Sequence, residues 1–179
     1  LINVVCNISR NRAYPDFKND SKFNNLTENT MEILFKANSF PNTLNTLMGI
    51  ESNYLLRIGD ATIPNNQLQV ATSVNNCTSA DLQLESGKWY HVAVAFNKGN
   101  VKVYINGVEK LSGSPGKSSV SLGAKHTNEE DGSRCFWVGY SYKDDRYCDG
   151  VVSEVRIWNR ALTAEEIQAT NHFYTIEPE

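Results

Sequence analysis

Four cysteines, three histidines and one acidic cluster are the residues whose types could do chemistry in this 179-residue chain. The cysteines are Cys6, Cys77, Cys135 and Cys148. No two have the C-x-x-C spacing of a zinc or redox site, and no histidine lies close in sequence to complete one. An even count fits two disulfides in an oxidising compartment; free buried thiols in a cytosolic protein are the alternative. Four cysteines allow three pairings, and their spacing does not choose among them. The histidines are His91, His126 and His172. A serine nucleophile would need a strained G-x-S-x-G turn, which is absent. The glycines are scattered, so neither a P-loop nor a dinucleotide fingerprint is present. The acidic cluster, Glu129-Glu130-Asp131-Gly132-Ser133-Arg134, reads as a solvated loop, with a weak Ca²⁺ site as the second reading. Asp144 and Asp145 could also supply oxygens. A hard cation needs six to eight of them, and the sequence assembles no such set. No cofactor is therefore certain, and Ca²⁺ is the cation these oxygens would suit.

Composition narrows the partners. The formal net charge is −3 and no basic stripe occurs, which argues against nucleic acid or an anionic membrane. No apolar run approaches the roughly 18 residues that span a bilayer. No signal peptide opens the sequence, and the apolar start at Leu1 reads as a mature or excised chain. With 40% hydrophobic and 21% charged residues, the chain has the composition of one folded domain over residues 1–179.

The elements that must position these residues are strands. In Gly87 to Gly107, Tyr90, Val92, Val94 and Phe96 share one face of a first run. Val101, Val103 and Ile105 share one face of a second. Asn97-Lys98-Gly99-Asn100 turns between them, and Asn106-Gly107 ends the second. Further strands are expected at 1–9, 31–37, 47–50, 54–58, 67–73, 136–140 and 150–159. A short edge segment is expected around Leu82 and Leu84, and loops over 10–30, 112–119 and 141–149. In the last strand Val151, Val155 and Ile157 are expected inward. Glu154 and Arg156, two apart on the other face, read as an architectural ion pair. Thr163-Ala164-Glu165-Glu166 is a capping box that starts one helix near 163–169, with Leu162 and Ile167 as its staple. The expected fold is all-β: a two-sheet antiparallel β-sandwich (jelly roll) with one short helix near the C-terminus.

Three segments, GKWYHVAVAFNKGNVKVYINGVE, FWVGY and GVVSEVRIWNRALTAEEI, together resemble the concanavalin A-like, laminin-G-type jelly-roll domain. The match covers about half the chain. The stretch TLMGIESNYLLRIGDATIPNNQLQVATS is similar to the version found in surface glycan-binding proteins of gut Bacteroidota. The resemblance implies an exported or cell-surface protein, an oligosaccharide or polysaccharide partner, and other domains in a larger parent protein. Related glucanases carry their two carboxylates as E-x-D-x-x-E on a strand face. This sequence lacks that motif, so a non-catalytic carbohydrate-binding module is expected. A glycoside hydrolase and a protein–protein adhesion module are the alternatives.

Aromatic faces and planar polar groups recognise sugars. Two regions offer them. One is the polar face of the middle strands, with Arg57, Asp60, Gln67 and Gln69. His91 and Tyr104 would join it if those strands neighbour the hairpin, and Ala93 and Ala95 would leave room for a groove. The other is the loop with Tyr140, Tyr142, Asp144 and Tyr147, bracketed by Cys135 and Cys148. Trp89 reads as core, with a sugar platform as the alternative. If the 136–140 and 151–158 strands are antiparallel neighbours, Cys135 pairs with Cys148 and Cys6 with Cys77. The first bridge would close a loop of about 14 residues, worth roughly 3 kcal/mol.

Overall fold

The hairpin anticipated at residues 87–107 lies within a six-stranded antiparallel sheet. The computed structural model describes residues 6–8, 21–51, 53–73, 75–123, 136–141 and 145–171. Its strands are β1 (Cys6–Ile8), β2 (Glu28–Ser39), β3 (Asn45–Ile50), β4 (Tyr54–Asp60), β5 (Ile63–Thr72) and β6 (Asn76–Cys77). Then come β7 (Trp89–Asn97), β8 (Asn100–Ile105), β9 (Val108–Gly113), β10 (Trp137–Val138) and β11 (Asp149–Trp158), followed by helix α1 (Ala164–Thr170). The six-stranded sheet runs β1-β11-β2-β7-β8-β9, and a five-stranded sheet runs β10-β3-β4-β5-β6. All pairings are antiparallel. This is the expected all-β jelly-roll sandwich with one short C-terminal helix.

Two-residue turns set the hairpin registers. Lys98 and Gly99 have φ of 47° and 91°, and Asn106 and Gly107 have 52° and 77°. Positive φ at both central positions matches the right-handed twist of the flanking strands. The Asn106-Gly107 turn thus leads into β9, a strand that the sequence pattern does not announce. Alternation along β9 is weak because its residues are mostly exposed.

The core forms where the inward faces meet: Ile33 and Phe35 of β2, Val94 of β7 and Val103 of β8 against Leu56 of β4 and Leu68 of β5. Two bulges change the expected parity. A register shift between Thr46 and Met48 lets both Leu47 and Met48 face the core. Another between Val152 and Glu154 turns Val152 inward with Val155 and Ile157, in place of Val151. At 80–82 the chain forms a 3-10 turn, and the expected edge segment shrinks to a bridge between Gln67 and Gln83.

The disulfide expectation is corrected. β10 pairs with β3 in one sheet and β11 with β2 in the other, so the two strands flanking the 141–149 loop are not neighbours. The thiols of Cys77 and Cys148 are free and buried. Burial pushes the Cys148 thiol up to about 12 and raises that of Cys77, which leaves both unreactive. A Cβ on Gly113 of β9 would lie 3.6 Å from Cys77 Sγ. Cys77 is therefore at the β9 edge, while Cys6 belongs to β1, on the opposite edge of that sheet. At about 4.8 Å per strand the separation far exceeds the reach of a disulfide. Cys135 lies outside the described residues.

The outer face of the six-stranded sheet is closed by α1. Thr163 caps the helix: its Oγ1 accepts from Glu166 N (3.2 Å) while Glu166 Oε2 accepts from Thr163 N (2.9 Å). Leu162 and Ile167 then pack on Ala93, Ala95 and Tyr104. Glu32, 1% exposed, sits at the centre of this interface. Its carboxylate accepts from Thr170 Oγ1 (2.6 Å) and Trp158 Nε1 (2.5 Å), and lies 3.1 Å from His91 Nε2. Arg156 chelates Glu154 through Nε (2.7 Å) and Nη2 (2.5 Å), and its Nη1 donates to Thr170 O (3.1 Å). The Glu154–Arg156 pair is architectural, as expected.

Burial by itself would raise the Glu32 carboxyl, but hydrogen bonds from His91, Thr170 and Trp158 outweigh it and hold the group below its ordinary 4.5. A carboxyl depressed in the folded state stabilises the fold above the unfolded value and loses that contribution as pH falls through the folded one. Thermal stability should therefore be flat above pH 4.5 as far as this group is concerned, and decline below it. Glu32→Gln should flatten that decline in melts taken across the acid range. Glu32→Ala, which strips buried His91 and half-buried Trp158 and Thr170 of their acceptor, should cost about 3 kcal/mol in urea titrations.

Gly49 has φ +123°, and a Cβ there would lie 2.3 Å from Tyr54 O. Gly49→Ala should cost about 3 kcal/mol, strain and clash together. Gly87 also has positive φ (+78°), but a Cβ there would meet no atom within 4 Å, so Gly87→Ala should cost only about 1 kcal/mol. Equal losses in chemical denaturation would contradict this account.

Candidate functional site

The outer face of the five-stranded sheet carries the polar groups that α1 does not cover. Along β4, Tyr54, Leu56 and Ile58 enter the core, so Arg57 points outward; along β5, Leu68 and Val70 do the same and leave Gln69 outward. The two are direct cross-strand partners. Arg57 Nε donates to Gln69 Oε1 (2.8 Å), and Arg57 Nη2 donates to Asp60 Oδ2. The third edge of the guanidinium faces Glu51, with Nη1 3.7 Å from Oε1. Glu51 Oε1 is also 3.1 Å from Arg146 Nη1, and Glu51 Oε2 accepts from Ser141 Oγ at 3.4 Å.

Arg146 belongs to the second region named from sequence, so the structure brings the two regions together. Backbone bonds hold that loop against β3: Thr46 N donates to Arg146 O (3.2 Å), and Gly139 N to Leu47 O (2.7 Å). Asn42 Nδ2 donates to Tyr147 O (2.9 Å), and Cys148 N closes the loop base on Gly139 O (2.9 Å). Tyr140 is buried and meets Trp137 edge-on, with ring centroids 5.3 Å apart. Tyr147 is half-buried. Tyr142 and Asp144 lie outside the described residues.

Arg57 and Gln69 form the floor of this face; the side chains of Glu51, Asp60 and Arg146 are 14%, 18% and 19% exposed and form its rim. Gln67 is set apart, donating to Ser79 O.

His91 and Tyr104 do not join this site. They point outward from the other sheet and are covered by α1, 4% and 2% exposed. The space over Ala93 and Ala95 takes Leu162 and Ile167 of the helical segment and is no groove. Trp89 is a second correction. It shares the outward parity of His91 but lies beyond α1, and is 38% exposed with Lys36 Nζ 5.5 Å from its ring centroid. Among the described residues no group of three or more His, Cys, Asp or Glu is placed to hold a metal. The 129–134 cluster lies outside them.

Two residues of the face, Glu51 and Trp137, were missed from sequence, and so was the pairing of Glu51 with Arg146 of the named loop. Trp137 was legible, since Phe136 and Val138 are core and the residue between them must face outward. Glu51 and Arg146 sit in turns without periodicity and are 95 positions apart, so no local pattern pairs them.

The fold has parallels in known proteins. The chain aligns with a Bacteroides ovatus ATCC 8483 protein proposed to bind carbohydrate, at 28% identity and a TM-score of 0.68. That match covers 88% of this chain and 42% of the other, so the chain spans less than half the length of that relative. Domain 4 of AbnA, an extracellular arabinanase from Geobacillus stearothermophilus solved with arabinotriose, matches at 24% identity and a TM-score of 0.63, over 84% of this chain and 69% of that one. A heptameric SAP-like pentraxin from Limulus polyphemus shares the fold at 16% identity and a TM-score of 0.58, over 86% and 74%. No curated protein matches the chain. The profile of the Concanavalin A-like lectin/glucanases superfamily matches residues 10–168, nearly the whole length, and the chain belongs to that family.

Proposed function

We propose that residues 1–179 act as one non-catalytic carbohydrate-binding module of an exported or cell-surface protein, with the outer face of the five-stranded sheet as its binding surface. One observation carries this reading. Arg57, Asp60 and Gln69 converge with Glu51 and Arg146 on one face, to which Trp137 of β10 also points from the same sheet. Planar hydrogen-bonding groups beside aromatic rings suit sugar hydroxyls and C–H surfaces respectively. The 28% identity to a Bacteroides ovatus protein proposed to bind carbohydrate supports the same ligand class.

The arrangement favours binding over hydrolysis. Glycosidases need two carboxyl groups flanking one scissile bond. Glu51 and Asp60 both face Arg57 instead, and Glu32 is sealed beneath α1.

A glycan array paired with a reducing-end assay tests the reading. Binding without release of reducing ends is expected. Tyr147→Ala should weaken that binding about tenfold with the melting temperature nearly unchanged, as for an aromatic contact at a recognition surface. Release of new reducing ends would make the chain a hydrolase. No glycan signal, together with capture of a protein partner, would make it an adhesion module.

A further inference from the structure

We infer that this face selects neutral oligosaccharides, gripped through hydroxyl groups, and discriminates against uronic-acid and sulfated chains. The inference rests on the carbohydrate-binding reading above and adds the ligand's charge class.

Charge selection at this face depends on what its guanidiniums have left to give. An anionic sugar is best held by a free guanidinium edge, which can offer two parallel N–H donors to a carboxylate or sulfate. Arg57 has no such edge facing outward. Its Nε is bonded to Gln69, its Nη2 to Asp60, and its Nη1 lies 3.7 Å from Glu51. Arg146 turns its Nη1 to the same Glu51 oxygen at 3.1 Å. An anion approaching Arg57 would have to evict Glu51 or Asp60, and would meet their charges at short range. Among the described residues of this cluster, the charges of Arg57 and Arg146 are balanced by those of Glu51 and Asp60.

A neutral sugar meets the opposite situation. Each carboxylate oxygen has more than one acceptor position. Asp60 Oδ1 accepts from the backbone N–H of Ala61, and among the described residues Glu51 Oε2 accepts a long bond from Ser141 Oγ. With their side chains 18% and 14% exposed, both carboxylates can still accept from a hydroxyl. A sugar hydroxyl is a donor as well as an acceptor, and its bond to an ionised acceptor is of the stronger kind. The arginines fix those carboxylates in place beforehand, which lowers the ordering cost of binding.

Titration calorimetry with defined probes decides the matter: neutral arabino-, galacto-, manno- and xylo-oligosaccharides against oligogalacturonate and heparin hexasaccharide, each at about 50 and about 500 mM NaCl. Neutral probes should bind, with Kd changing less than about twofold between the two salts, because no net charge is screened. Asp60→Asn should weaken them about tenfold by removing a charged acceptor. Glu51→Gln, which leaves two guanidiniums against one carboxylate, should gain oligogalacturonate binding that fades at high salt. Melting curves on both variants separate these effects from misfolding. If wild type prefers oligogalacturonate or heparin, and loses about tenfold or more in high salt, the charge class is overturned while carbohydrate binding stands. If no probe of either class binds, the carbohydrate reading falls and this inference with it.

Discussion

A carboxylate buried in the middle of a sheet has to be satisfied by donors from several elements at once, and Glu32 of β2 imposes that requirement here. Its donors come from β7 (His91), β11 (Trp158) and the last turn of α1 (Thr170). An unpaired buried carboxylate is among the costlier defects a fold can hold, whereas a fully bonded one rigidifies its surroundings. The network fixes where α1 can lie, and Leu162 and Ile167 reinforce that placement by covering Ala93, Ala95 and Tyr104. One outer face of the sandwich is thereby committed to architecture. On the proposed function, ligand chemistry falls to the other.

Much of this was legible along the chain. The hairpin, its turn, the capping box and most inward residues follow from period-two alternation and from residues that tolerate positive φ. Where the reading of inward faces failed, an extra residue in the ladder was responsible. Val152 took the place assigned to Val151 because the β11–β2 register shifts before Glu154. A bulge leaves no composition signal, so parity counted from one end of a strand fails at the other.

The partition into sheets was the harder matter, and it governed the site. Alternation says that Arg57 and His91 both face away from a core, but not away from the same sheet. Grouping them assumed that β4 and β5 neighbour β7. Pairing order depends on connections that cross between sheets, and those carry no periodic signature. The same ambiguity misled the cysteine reading, because β10 and β11 are close in sequence yet lie in opposite layers. Conversely, the two candidate regions 57–69 and 140–147 looked unrelated. They meet because the backbone of the later loop bonds to β3 at Thr46 and Leu47.

Arg57 shows how architecture and recognition can rest on one side chain. An arginine 7% exposed must have its charge answered by the protein, since its desolvation is not offset by water. Gln69, Asp60 and Glu51 supply that answer and, in doing so, are themselves held in fixed orientations, with Gln69 buried and the two carboxylates partly exposed at the rim. Glu51 then engages Arg146 and so ties the loop to the sheet. The groups that stabilise the buried cation are thus the same groups that present oxygens to the surface. A surface organised this way is rigid before any ligand arrives and carries little net field. If it binds sugar as proposed, its selectivity must come from the positions of its acceptors and rings, because long-range attraction contributes little.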